Sequence, residues 1–186
     1  RTKHIHERRG LSRAALFFAG CLGSESPPTT GTTQSAAKLM PDTTEFRAAA
    51  SPMPQVPPEL PAIPGGWAER EFQIGDRAVR LVLPAVPDAF LEDEAVIDAH
   101  ERDGSMPYWA YVWPASLRLA TSILRRSWQA GTPAIELGAG VGLAGLAGWF
   151  AGLEVLFTDY DATAVDLAVF NARRHGFASA AGTVLD

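Results

Sequence analysis

Cysteine is nearly missing: Cys21 is the only one in 186 residues. That excludes an intrachain disulfide and a cysteine metal cluster. Histidine is as sparse, and His4, His6, His100 and His175 stand at no metal-ligand spacing, so no metal is expected. Lysine disappears after Lys38, and from Ser51 onward acids outnumber arginines. An acidic body without basic clusters argues against nucleic acid as the main partner, because phosphate neutralisation dominates that kind of affinity. The paired arginines of the body, Arg125-Arg126 and Arg173-Arg174, are expected near helix C-termini, where the helix dipole favours them. Long apolar runs are missing too. The stretch Ala14 to Gly20 is too short to span a bilayer as a helix, and no stable membrane association is expected.

Two regions differ in composition. The first fifty residues are mildly basic, with Arg1, Lys3, Arg8, Arg9, Arg13, Lys38 and Arg47 against four acids. Within them, Arg8-Arg9, an apolar run and then Cys21 look like a signal peptide with a lipoprotein-type cleavage site of the twin-arginine kind. The competing readings are an over-extended reading frame, with initiation near Met53 or Met40, and an ordinary disordered tail. Residues 24–66 are rich in Ser, Thr, Pro and Gly. Such a stretch buries too little apolar area to offset the entropy of ordering, so residues 1–66 are expected to be tail and linker, with a folded domain over 67–186.

The domain reads as alternating strands and helices. Trp67 to Ile74 and Ala78 to Leu83 flank Gly75-Asp76 as a hairpin. Asp88 to His100 is predicted as a helix, with Glu92-Asp93-Glu94 on a solvated face. Pro114 suits a helix's first turn, and Leu117, Ala120, Thr121 and Leu124 share a face of that helix. Pro133 to Leu137 is a predicted strand, Val141 to Ala151 a helix, and Leu153 to Thr158 a second strand. Asp161 is expected to cap a helix striped by Val165, Ala168, Val169 and Ala172 and ended by Gly176, before a strand over Ala180 to Leu185. Trp109, Tyr111 and Trp113 alternate, which on its own suggests core packing. Trp128 and Trp149 are expected to pack, and Asn171 to be structural.

Ile135-Glu136-Leu137-Gly138-Ala139-Gly140-Val141-Gly142 carries the chemistry. A strand, a glycine-rich turn, a helix and a second strand closed by Asp159 form a nucleotide-binding βαβ unit. Glycines admit close backbone approach, the helix N-terminus offers unpaired N–H groups, and the distal acid suits two ribose hydroxyls. Gly140-Val141-Gly142-Leu143-Ala144-Gly145 fits the dinucleotide pattern of NAD and FAD proteins, and a turn without any ligand is the plainest alternative. Glu136 favours another cofactor. A carboxylate beside the turn repels a pyrophosphate and gains nothing from the helix dipole, whereas S-adenosylmethionine (SAM) brings an ammonium, a sulfonium and no phosphate.

These residues resemble a class I, seven-strand SAM-dependent methyltransferase. Pro107-Tyr108-Trp109-Ala110-Tyr111-Val112-Trp113-Pro114-Ala115-Ser116, one helix before the turn, narrows the resemblance. That segment is similar to the protein-lysine methyltransferase group that includes the electron-transfer-flavoprotein and chaperone enzymes, whose bacterial relatives are described as nicotinamide N-methyltransferase-like. The resemblance covers about residues 67–186. It implies an α/β, Rossmann-like fold of strand order 3-2-1-4-5-7-6, preceded by the hairpin and ending here after strand three. It also implies that Trp113 packs against SAM, that Gly138, Ala139 and Gly140 approach its methionine part, that Asp159 holds the ribose and that Asp186 lies beside the adenine. The implied reaction is methyl transfer to an amine, a protein lysine first and a small amine second. Because SAM is a cytosolic metabolite, a cytoplasmic enzyme is expected. The family's acidic-x-x-Tyr motif follows a fourth strand, beyond Asp186, so no acceptor-side catalytic residue is assigned. On this reading Ala134 to Leu137 becomes an exposed, aggregation-prone sheet edge.

Overall fold

The computed structural model describes residues 15–18, 51–52 and 57–185. Cys21, His4, His6, Met40, Met53 and Asp186 lie outside the described residues, as does most of the signal-like stretch.

Two sheets organise the chain. An antiparallel sheet of order β2-β3-β4 joins β2 (Ser51–Pro52), β3 (Trp67–Ile74) and β4 (Arg77–Pro84). The β3–β4 hairpin turns at Gly75-Asp76, where Gly75 takes a φ of 59° that suits a residue without Cβ. A parallel sheet has the order β1-β5-β6-β7, built from β1 (Ala15–Phe18), β5 (Pro133–Leu137), β6 (Glu154–Asp159) and β7 (Ala181–Val184). The protein is therefore α/β, and the run β5, β6, β7 with helices between is compatible with part of a Rossmann-like sheet.

The expected bare edge on β5 is corrected. β1 pairs with it in parallel, Ala15 opposite Ala134 through Phe18 opposite Leu137. An unpaired strand of buried character is a template for any apolar extended segment, and here a segment far upstream takes the place.

Helices follow local signals. α1 (Glu94–Asp103) begins after a 3₁₀ turn over Pro87–Glu92, so the single helix expected from Asp88 is split at Asp93. Asp93 is a cap rather than one more solvated acid: its carboxylate accepts the N–H groups of Ala95 and Val96 at 3.0 and 3.3 Å. α1 buries no residue fully and meets the core through the partly buried Val96, so its cap is a sizeable part of its local stability. Asp93→Ala is expected to cost about 1 kcal/mol of local stability, read as roughly fivefold faster amide exchange over 94–103.

α2 (Pro114–Leu124) starts at its proline, as expected, and buries Ala120 and Ile123. α3 (Leu143–Phe150) is shorter than the predicted helix because Gly140 and Gly142 adopt φ values of 52° and 78°. α4 (Ala162–Arg174) is capped by Asp161, whose carboxylate accepts the Thr163 N–H at 2.7 Å, and Gly176 lies just beyond its end at φ 91°. α3 packs on β5 and β6 and against α2, and α4 packs on β6, β7 and the hairpin strand β4.

The packed body starts before Trp67. Leu60 is buried with the core, and the Trp67 indole N–H donates to the Pro61 carbonyl at 2.8 Å. Residues 57–66 are thus not free linker. Prolines there have little backbone freedom to lose, which lowers the cost of ordering that composition alone suggested.

Candidate functional site

The glycine turn joins the C-terminal end of β5 to α3. Gly138, Gly140 and Gly142 all take positive φ, so the chain reverses in a conformation that favours residues without Cβ. The Ala139 N–H extends the β5–β6 ladder to the Thr158 carbonyl at 2.9 Å, and Gly142 N–H closes on the Ala139 carbonyl at 2.8 Å. Ala139 and Gly140 are buried, whereas Gly138 is exposed.

Asp159 stands at the tip of β6, 4% exposed, with its carboxylate on the turn. One oxygen accepts the Gly140 N–H at 2.9 Å and the other accepts the Asp161 N–H at 3.1 Å. Burial raises its pKa above the ordinary carboxylate value, opposed by those backbone N–H groups, while the neighbouring Asp161 charge also raises it. A carboxylate offers about four lone-pair sites, so each oxygen keeps capacity for a further donor such as a ribose hydroxyl.

Glu136 departs from expectation. It is 1% exposed and turned beneath α3, where it accepts the Gly145 N–H at 2.9 Å. Burial pushes its pKa up to about 8, with Asp159 adding repulsion and the Gly145 and Ala144 backbone opposing. Burial thus favours the uncharged form of this carboxyl. The idea that its charge borders the ligand and gains nothing from the helix is thereby corrected: it sits in the first turn of α3, on the donors of the helix N-terminus. A dinucleotide pyrophosphate sits at the same helix end, approached by the backbone at the second glycine of the fingerprint, here Gly142, rather than at Gly145.

The other glycines have internal reasons. A Cβ on Gly142 would lie 2.8 Å from Ala168 of α4, and one on Gly145 would strike the Glu136 carboxylate and the Phe157 ring. Helix packing alone therefore demands both.

Trp109 and Tyr111 are both buried, as core packing requires, and Tyr108–Ala110 forms a 3₁₀ turn. The Trp109 indole meets Phe90 edge-on at 5.3 Å between ring centres, and its N–H donates to Asp161 at 2.8 Å. Its backbone faces the turn, since a Cβ on Gly140 would lie 3.4 Å from the Trp109 carbonyl. Trp113 is only partly buried. It precedes α2, donates its indole N–H to the Tyr108 carbonyl at 3.0 Å and meets the Tyr108 ring edge-on. Tyr160 follows Asp159, half-exposed, with its hydroxyl donating to the Met106 carbonyl at 2.5 Å. Burial, then the Asp161 and Asp159 charges, raise its pKa to about 12. Sequence reasoning placed Asp161 only as a cap and passed over Tyr160; their position directly after Asp159 was the available signal.

Of the expected site residues, the structure brings Gly138, Ala139, Gly140 and Asp159 together around the turn. Glu136 lies under the helix, Trp113 sits by Tyr108, and Asp186 is outside the described residues. A groove of about 530 Å³ lies elsewhere, between α4 and β7, lined by Val165, Val169, Phe170, Arg173 and Gly182, and no residue of the turn contributes to it. Among the described residues no three His, Cys, Asp or Glu side chains converge as metal ligands, and no helix is long and apolar enough to cross a membrane. Comparison with protein-family models and with curated proteins returned no match.

Proposed function

We propose that this chain carries the cofactor-binding part of a class I SAM-dependent methyltransferase of the seven-strand, Rossmann-like kind, acting in the cytoplasm on an amine. The acceptor is a protein lysine side chain in the first place and a small amine in the second. One observation carries the preference for SAM: Glu136 already occupies the Gly145 N–H in the first turn of α3. An acid already drawing on the N-terminal dipole of α3 makes that helix end poorer for a pyrophosphate, whereas SAM has no phosphate to place there. Discrimination thus works through an occupied helix end, with charge in a lesser part than the sequence suggested.

SAM supplies an electrophilic methyl group on a sulfonium. The chain's own residues bind and orient. Asp159 would hold the ribose hydroxyls with its remaining acceptor capacity, the backbone of Gly138, Ala139 and Gly140 would approach the methionine part, and Trp113 would pack on the ligand's face. Holding an acceptor lone pair in line with the S–CH3 bond, away from water, makes a bimolecular step nearly unimolecular.

The second reading, an NAD-dependent oxidoreductase, is favoured by Gly145, which allows close helix–strand packing as the third glycine of a dinucleotide fingerprint does. Calorimetry with SAM and with NAD separates the two. Asp159→Ala and Asp159→Asn are each expected to weaken SAM by at least ~10-fold, about 1.4 kcal/mol, the scale of a lost charge-assisted hydrogen bond. The asparagine variant retains an acceptor for the Gly140 N–H but sets an NH2 group against the Asp161 N–H, so amide exchange at 140 and 161 without ligand separates a loss at the turn from a loss at the ligand. SAM affinity unchanged in both variants rejects the assignment, and tight NAD binding without SAM binding establishes the alternative.

A further inference from the structure

Four residues from three segments close a ring around the turn. Asp159 accepts the N–H groups of Gly140 and Asp161 at 2.9 and 3.1 Å. Asp161 accepts the Trp109 indole N–H with one oxygen and the Thr163 N–H with the other, at 2.8 and 2.7 Å. Trp109 returns to the start, its backbone in contact range of Gly140. The Tyr160 hydroxyl adds a parallel tie to the Met106 carbonyl. A partner for a buried indole N–H is not automatic in this fold, since the Trp149 indole N–H has none among the described residues. Across the 52 residues that separate them, Trp109 and Asp161 meet in a geometry that serves the turn.

We propose that Asp161 and Trp109 are a positioning pair: their hydrogen bond holds segment 106–113 against the glycine turn and ties that segment to the occupancy of Asp159. A donor that engages the Asp159 carboxylate alters its bonds to Gly140 and Asp161. Through Asp161 the change reaches Trp109 and so the exposed Tyr108 and the partly buried Trp113, which flank it in the chain. The holding role stands on geometry alone, and the link to a ligand rests on the SAM reading.

Two substitutions separate this role from helix capping. Trp109→Phe keeps an aromatic ring against Phe90 but has no N–H to donate. Asp161→Ser keeps a capping oxygen for the Thr163 N–H and is too short to reach the indole. The 186-residue chain, both variants and the double variant are compared by ¹⁵N NMR and amide exchange. The indole N–H signal of Trp109, identified by its loss in Trp109→Phe, is expected to exchange about fivefold faster or more in Asp161→Ser, the scale of one net hydrogen bond. Amides of 108–113 accelerate by about the same factor in each single variant, and the double variant adds nothing further, because one shared bond has been removed. Amides of α4 stay as they were. In the second arm SAM is titrated: it protects 108–113 in the parent, and the single variants bind it about fivefold more weakly and lose that protection.

Unchanged exchange of the indole and of 108–113 overturns the pair. So do additive effects that spread through α4, which would mark ordinary packing, and so do single variants that bind SAM and protect 108–113 as the parent does. If the parent binds no SAM while the exchange results come out as expected, the holding role stands and the cofactor reading falls.

Discussion

Asn171→Ala is expected to destabilise the fold by about 3 kcal/mol, measured by urea unfolding at neutral pH. Asn171 is 1% exposed on α4 and makes three hydrogen bonds. Its carbonyl oxygen accepts the Val82 N–H at 2.8 Å, and its amide donates to the carbonyls of Val82 and Val141 at 2.9 and 3.0 Å. One side chain thus stitches the hairpin strand β4, the helix α4 and the glycine turn. Alanine leaves a donor and two acceptors without their partner in a place closed to water, and each such group costs roughly 1–3 kcal/mol, partly relieved by relaxation. Asn171→Asp sharpens the argument. It keeps the shape and the acceptor for Val82 N–H but turns an oxygen towards two carbonyls, so it is expected to be at least as damaging as alanine. A loss below about 1 kcal/mol in both variants, the scale of a single ordinary hydrogen bond, would show that the hairpin docks without this contact.

The same residue illustrates what the sequence could and could not say. That Asn171 is structural was legible from its place in a helix beside an apolar stripe; that it joins the hairpin to the turn was not, because its partners lie 89 and 30 residues away. Elements with local signals were read well. Gly75-Asp76 marks the hairpin turn, Pro114 opens α2, Asp161 caps α4, and Pro133 to Leu137 is a strand with the expected bounds. Failures arise where side-chain direction or distant pairing decides. In β5 the buried face carries Ala134 and Glu136, while Ile135 and Leu137, the more apolar pair, are only partly covered. Period two therefore puts the acid under α3, against the intuition that apolar residues mark the inner face. The partner of β5 comes from an apolar segment more than a hundred residues upstream, which no local pattern reveals. For the site, the turn and Asp159 were legible as a spacing motif, whereas the Trp109–Asp161 contact depends on the chain closing over itself.

Stability is expected to fall as pH rises from about 5 to 8, and Glu136→Gln is expected to flatten most of that slope. The carboxyl titrates at 4.5 in the unfolded chain and at about 8 beneath α3. Between those values the native state holds a proton that the unfolded state has released, so each step up in pH favours unfolding. The contribution is fully present below pH 4.5, declines through the neutral range and is gone above about 8, where both states are ionised. At roughly 1.4 kcal/mol per pH unit the loss is on the order of 4 kcal/mol across the window. Asp159 moves in the same direction, since burial raises it too. Asp103 is held low by its bonds to Ser105 and is ionised in both states above pH 5, adding nothing there. Glutamine keeps an oxygen for the Gly145 N–H and cannot ionise, so the variant should equal the parent near pH 5 and exceed it near pH 8. Unfolding free energies at several pH values decide the matter. Parallel curves for the two proteins would mean that the Glu136 carboxyl stays charged under the helix, and charge rather than an occupied helix end would then again be what the turn presents to its ligand.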